Sequence, residues 1–173
     1  MRSIYVVSLA LLATIMAFSA GGCIQGDGYS NSWVYPEQVQ SVYVEMFDSL
    51  SFRRGFEYKL TDAVCKRIEA QTPYKIVSDR DRAQTVLSGQ IIQIGSSVLS
   101  YERNTGQSLE NEASVVVRFT WKNLESGEIF VDNQTIEASE SFSRFLGQDF
   151  DYAARAAVNE AAEKIIELMQ KPW

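Results

Sequence analysis

The apolar positions change period along the chain, and each change marks an element. From Val39 to Phe47 they alternate. Val42, Val44 and Met46 point one way and Tyr43 and Glu45 the other, the pattern of a strand with one buried face. Asp48-Ser49-Leu50-Ser51 breaks this strand, and Arg53-Arg54-Gly55 completes a turn. From Phe56 to Gln71 the spacing becomes helical: Phe56, Leu60, Ala63, Val64 and Ile68 share one face, with Lys59, Asp62, Lys66 and Glu69 on the others. Thr72-Pro73 stops that helix, because a proline disfavours helical backbone at the residue before it. Tyr74 to Val77 is a short apolar piece that suits an edge strand.

Thr85 to Tyr101 reads as a longer strand containing Gly89 and Gly95. Glycine inside a strand marks a bulge or a close approach of another group to the backbone. Arg103 to Glu112 reads as a polar loop. Ala113 to Lys122 alternates cleanly, with Val115, Val117, Phe119 and Trp121 on one face and Val116, Arg118, Thr120 and Lys122 on the other. Asn123 to Glu128 is a hairpin connection, and Ile129 to Ala138 the return strand. Glu140 to Gly147 reads as a loop carrying Phe142, Phe145 and Leu146. Asp149 to Gln170 is a second amphipathic helix, striped by Phe150, Ala153, Ala157, Val158, Ala161, Ile165 and Leu168. Asp149 or Asp151 caps its start, where a carboxylate meets the free N–H groups and positive end of the helix dipole.

Each helix has one apolar stripe, and each well-patterned strand has one apolar face. The simplest assembly is an α+β fold: a mostly antiparallel or mixed four-stranded sheet with both helices packed on one face. The opposite face carries Tyr43, Glu45, Arg118, Thr120 and Lys122. Such a polar and aromatic face, left without helices, is either solvated or a docking surface.

The N-terminus is a different kind of segment. One charge, Arg2, precedes an apolar run from Ile4 to Ala20, which ends in Ala20-Gly21-Gly22-Cys23. Small residues there let the chain lie extended in a peptidase groove, and the cysteine offers a thiol for alkylation with diacylglycerol. The pattern is similar to a bacterial lipobox, with Ala20 where Leu or Val is more usual. An uncleaved membrane helix is the competing reading, but Gly21-Gly22 would end such a helix early. Residues 1–22 are therefore read as a lipoprotein signal peptide, 23–36 as a lipidated tether rich in Gly, Ser and Asn, and 37–173 as one domain. Several acyl chains on Cys23 anchor a protein stably where one does not. Ile24 after the cysteine, rather than Asp, favours the outer membrane under the sorting rule of well-studied Gram-negative bacteria, with the domain on the periplasmic side.

Composition then removes whole classes of function. The net charge is −6, and loss of the signal takes away one arginine and no acid, which argues against general nucleic-acid binding. There is no histidine, which excludes imidazole-based general base catalysis, triads that need it, and His-ligated zinc. Cys65 is left without a partner and reads as a half-buried helix residue. Asp79-Arg80-Asp81 has the look of a carboxylate pair, but it sits in a turn and no second acidic cluster has suitable spacing. The chain has no phosphate-cradling glycine loop and no nucleophile elbow. No catalytic set, metal site or cofactor is expected. The basic residues, Arg53, Arg54, Arg103, Arg118, Lys122, Arg144 and Arg155, are either scattered solvated charge or a patch for lipid phosphates.

Several segments, taken in order, resemble a known family. They are Cys23 with Gly28-Tyr29-Ser30; Val42-Tyr43-Val44-Glu45-Met46-Phe47-Asp48; Gly55-Phe56-Glu57-Tyr58-Lys59-Leu60-Thr61-Asp62-Ala63; Ala83-Gln84-Thr85-Val86-Leu87-Ser88-Gly89-Gln90-Ile91; Ser126-Gly127-Glu128 between two strands; and a C-terminal helix. Together they are similar to the lipopolysaccharide-assembly lipoproteins, the LptE family, over nearly all of the mature chain. The chain departs from the family pattern at Met46, Asp48 and Gln84, where Pro, Asn and Asp are more usual.

The resemblance implies a protein that is not an enzyme. Family members plug the large outer-membrane β-barrel LptD, help it assemble, and help deliver lipopolysaccharide to the outer leaflet. It implies a plug surface that includes Tyr43, Arg118, Thr120 and Lys122, with Arg53, Arg54 and Arg103 near the path of the glycolipid. Two other readings compete. A lipid-anchored protein that binds a small lipid or another envelope protein would need an apolar pocket between sheet and helices. A hydrolase would need two converging carboxylates.

Overall fold

The computed structural model describes residues 34–170. Cys23, the signal peptide and most of the tether lie outside the described residues. The strands are β1 (Ser41–Val44), β2 (Asp48–Ser49), β3 (Lys75–Ile76), β4 (Thr85–Tyr101), β5 (Ser108–Asn123) and β6 (Ile129–Phe142), and the helices are α1 (Phe56–Gln71) and α2 (Phe150–Leu168). Short 3-10 turns occupy Arg80–Arg82 and Arg144–Leu146.

All strands form one mixed sheet in the order β3-β1-β4-β5-β6, with β2 pairing β4 beyond the end of β1. The pairs among β1, β2, β3 and β4 are parallel, while β4, β5 and β6 form an antiparallel meander. The α+β class stands as expected, but the sheet has six strand segments rather than four. Of the two extra pieces, β3 falls within the Tyr74–Val77 segment that suits an edge strand, while β2 is two residues long, too short to show a period.

The kink that creates β2 also corrects the inward register of the first strand. Alternation predicts Met46 inside. Instead Met46 is 56% exposed, and Phe47 is the buried residue at 1%. Regular pairing of β1 ends at Val44, and the chain turns so that the Phe47 ring enters the core over Gly89. The Phe47 N–H donates to Thr61 Oγ1 of α1 at 3.1 Å, which fixes the turn. Beyond it, Asp48 and Ser49 pair again with Gln90 and Ile91 of β4.

One core lies between the sheet and both helices. Leu87 and Ile91 of β4, Val115, Val117, Phe119 and Trp121 of β5, and Ile136 and Ala138 of β6 meet Leu60, Val64 and Ile68 of α1 and the alanine-rich face of α2. The buried face of α2 is mostly alanine, at Ala153, Ala154, Ala157, Ala161 and Ala162, with Val158, Ile165 and Ile166 as its larger side chains. Tyr35, placed by sequence in the tether, is 3% exposed and packs edge-on against Tyr74 at 5.7 Å.

α2 begins where its sequence signal says. Asp149 is the N-cap, and its carboxylate accepts from the Tyr152 N–H at 2.8 Å. Asp149→Ala removes that acceptor and is expected to cost about 1 kcal/mol of stability. Urea unfolding followed by circular dichroism measures this, and an unchanged midpoint would show that the cap is redundant.

Candidate functional site

Two surfaces stand apart from the packed core. The first is the sheet face that carries no helix. Across the middle of that face, register aligns a transverse row: Asp48 of β2, Gln90 of β4, Arg118 of β5 and Thr135 of β6. Beside it lie Ser88 and Thr120, paired across β4 and β5. Where β5 meets β6 the register shifts between Phe119 and Trp121, and Asn133 takes a positive φ of 44°. Asparagine tolerates that left-handed backbone better than most residues. The Asn133 N–H then donates to Thr120 Oγ1 at 3.1 Å.

These residues enclose an open depression of about 290 Å³, lined by Glu45, Met46, Asp48, Ser88, Gln90, Arg118, Thr120 and Asn133. Residues of the two middle strands, Ser88, Gly89 and Thr120, are small. The larger groups are Gln90 and Arg118 of the same two strands and Glu45, Met46 and Asp48 of the flanking segment. Glu45 pairs with Arg80 at 3.7 Å. The Arg118 side chain is exposed and makes no hydrogen bond or ion pair with any described residue. Farther along the same face Glu112 accepts from Ser139 at 2.8 Å and from Ser97 at 3.4 Å.

Of the residues expected on a plug surface, Tyr43, Arg118, Thr120 and Lys122 all belong to the strand positions that point away from the helices. Only Arg118 and Thr120 line the depression. Asp48, Gln90 and Asn133 do so as well, and sequence reasoning missed them. Asp48 and Asn133 owe their places to irregularities, a kink and a bulge, that no period reveals.

The second surface is one end of the molecule. There the β4–β5 hairpin turn, the loop between β2 and α1, and the 3-10 turn before α2 come together. Ser143 Oγ donates to the Leu109 carbonyl at 2.9 Å, and the Arg53 guanidinium lies 3.8 Å from the Phe150 ring centre. Leu50, Phe52, Leu99, Tyr101, Phe145 and Leu146 are all exposed at this end. Arg53 and Arg54 are partly engaged, the first by its ring contact and the second by donating to the Ser49 carbonyl at 3.0 Å. Arg103, in the hairpin turn, and Arg144, in the 3-10 turn, are exposed as well.

The described residues offer little for bond-breaking chemistry. No three Asp, Glu, Cys or His residues among them gather for a metal ion. Burial, then the nearby Glu69 and Asp62, pushes the half-buried Cys65 thiol above its ordinary range, so it stays protonated near neutral pH. Burial also raises Tyr35, against a hydrogen bond with Gln170, and raises Tyr74, which Tyr35 raises further. Both phenols remain neutral core groups. No helix among the described residues is long and apolar enough to cross a membrane.

The lipopolysaccharide-assembly family model, LptE, matches residues 39–170. The chain belongs to the LptE family. That match spans every strand and both helices of the fold. Among solved structures, the rare lipoprotein B of Shewanella oneidensis is 21% identical, with a TM-score of 0.54 over 75% of this chain and 93% of that one. An uncharacterized lipoprotein B of Nitrosomonas europaea is 13% identical, with a TM-score of 0.54 over 79% and 84%. A Xanthomonas campestris protein is 11% identical, with a TM-score of 0.56 over 76% and 84%. At these identities the likenesses show the LptE-like fold alone. No curated protein sequence matches the chain.

Proposed function

We propose that this LptE-family chain is a lipid-anchored, non-enzymatic plug of the outer-membrane barrel LptD, which it helps to assemble and to supply with lipopolysaccharide. Cys23 carries the lipid and holds the domain on the periplasmic side of the outer membrane. The observation that carries the reading, beside family membership, is the bare sheet face: long strands whose outward side chains are mostly polar, with no described helix over them. A wedge of this shape can lie against a barrel wall with little to deform. Tyr43, Arg118, Thr120 and Lys122 belong to that contact. The apolar, arginine-rimmed end, with Arg53, Arg54 and Arg103, suits the acyl chains and phosphates of the glycolipid.

A small-lipid carrier finds less support. The space between sheet and helices is filled by side chains, and the depression lined by Pro36, Val39 and Pro73 is an open surface feature of about 370 Å³.

The test is affinity purification of the tagged, lipidated protein from envelopes solubilised in mild detergent, with mass spectrometry of what accompanies it. A near-stoichiometric large β-barrel protein is the expected result. Recovery of the lipoprotein alone, with its acyl chains intact, would remove the main support of the plug reading and make the small-lipid carrier the stronger one.

A further inference from the structure

The outer edge of β6 is the longest strand edge with no neighbouring strand among the described residues. The register tells which of its backbone groups face outward. The Leu50 N–H donates to the Ile91 carbonyl, so Ile91 turns its backbone groups away from β5. Ile91 aligns with Val117, and Val117 with Ile136. Bonded and non-bonded pairs alternate in antiparallel ladders, so Val117 and Ile136 bond to each other and Glu137, the next residue, presents its N–H and C=O to the outside. Thr135, Ser139 and Ser141 do the same. Such a row is a template for another strand. One side chain crosses it. Lys164 of α2 donates from Nζ to the Glu137 carbonyl at 2.7 Å, and Glu160, one helical turn earlier, holds the same ammonium at 2.8 Å. The neighbouring outward groups have no such partner among the described residues.

We propose that the β6 edge is a pairing surface for a second copy of this chain, and that Lys164 keeps it closed. The strand that matches this edge is the same edge run antiparallel about a twofold axis. Centred on Glu137, that pairing sets two carboxylates opposite each other, which is unfavourable. Centred on Ala138, it sets Glu137 opposite Ser139 and Thr135 opposite Ser141, and no like charges meet. The acidic side chains of β6 therefore do not close the edge by themselves. In the Ala138 register the Glu137 carbonyl has to accept from the Ser139 N–H of the second copy. Lys164 Nζ already holds that acceptor with a charge-assisted bond, and its stem lies across the line of approach. The ion pair with Glu160 keeps the ammonium in place. The inference is independent of the plug reading, since it needs neither the lipid nor the barrel.

Sedimentation equilibrium of the full chain in density-matched detergent tests it, with each variant checked for an unchanged thermal midpoint. Lys164→Ala and Lys164→Ser are each expected to dimerise at least about tenfold more tightly than wild type. Two substitutions keep the test informative if one folds poorly. Lys164→Arg still reaches the Glu137 carbonyl and should behave as wild type. Ser139→Pro removes an outward N–H at an edge position, where proline is tolerated. The double variant Lys164→Ala with Ser139→Pro should therefore return to the wild-type state. Equal association of wild type and both neutral variants overturns the role given to Lys164. A Lys164→Ala dimer that survives Ser139→Pro puts the contact elsewhere and overturns the β6 surface.

Discussion

Replacing Trp121 with alanine is expected to destabilise the protein by about 3–5 kcal/mol, the range for emptying the site of a large buried aromatic. Trp121 is among the largest fully buried side chains. Its ring lies 5.9 Å from Tyr74 and 4.6 Å from Phe130, so it ties β5 to the segment leading into β3 and to the edge strand β6. A cavity there would loosen three elements at once, in a fold whose total stability is of the order of 5–15 kcal/mol. Phenylalanine should behave differently. The Trp121 indole N–H has no hydrogen-bond partner among the described residues, and an unsatisfied buried donor costs about 1–3 kcal/mol. Trp121→Phe removes that donor while keeping most of the ring contacts, so its loss of volume is partly offset. Urea unfolding of the two variants separates the effects. If phenylalanine costs as much as alanine, the indole N–H is satisfied after all and the donor argument fails.

The same residue shows what the sequence makes legible. Val115, Val117, Phe119 and Trp121 form an unbroken period of two, and all four face the core. The α1 and α2 stripes are equally plain, because a helix that covers a sheet needs an apolar face along its whole length. The signal fades where cover ends. Residues 108–112 read as polar loop, yet they are the start of β5 and pair with β4 in an extended ribbon. Strands solvated on both faces have no reason to alternate, so neither composition nor period marks them. The return strand likewise runs on to Phe142, past the expected end at Ala138.

The candidate site was half legible for the same reason. Arg118 and Thr120 lie on a regular strand, and their outward placement follows from that of Val117 and Phe119. Asp48 follows a kink that moves the inward position from Met46 to Phe47. Asn133 sits at a bulge. Both depend on packing between distant segments, which a local pattern does not carry. The two glycines of β4 divide in a related way. The bulge in the middle of β4 falls at Ile92, between the pairs of Ile91 and Gln93, and Gly95 has room for a side chain. Gly89 has none.

Gly89→Ala is accordingly expected to destabilise the protein by about 3 kcal/mol, the upper end of the overpacking range. An added Cβ at residue 89 would lie 2.6 Å from Phe47 Cε1, 2.6 Å from the Arg118 carbonyl oxygen and 2.9 Å from Phe119 Cβ. The Phe47 ring could swing aside, but the Arg118 carbonyl belongs to the backbone of a central strand and cannot. The double variant Gly89→Ala with Phe47→Leu should therefore recover only part of the loss, because one of the two closest contacts remains. Thermal and urea unfolding of the single and double variants measure this coupling, and a Gly89→Ala protein as stable as wild type would refute the close approach. The effect reaches beyond stability. Phe47 over Gly89 is what turns Met46 and Asp48 outward to the rim of the depression. A protein that stays folded with alanine at residue 89 should displace that rim, and its recovery with the barrel should fall although no rim residue has been changed.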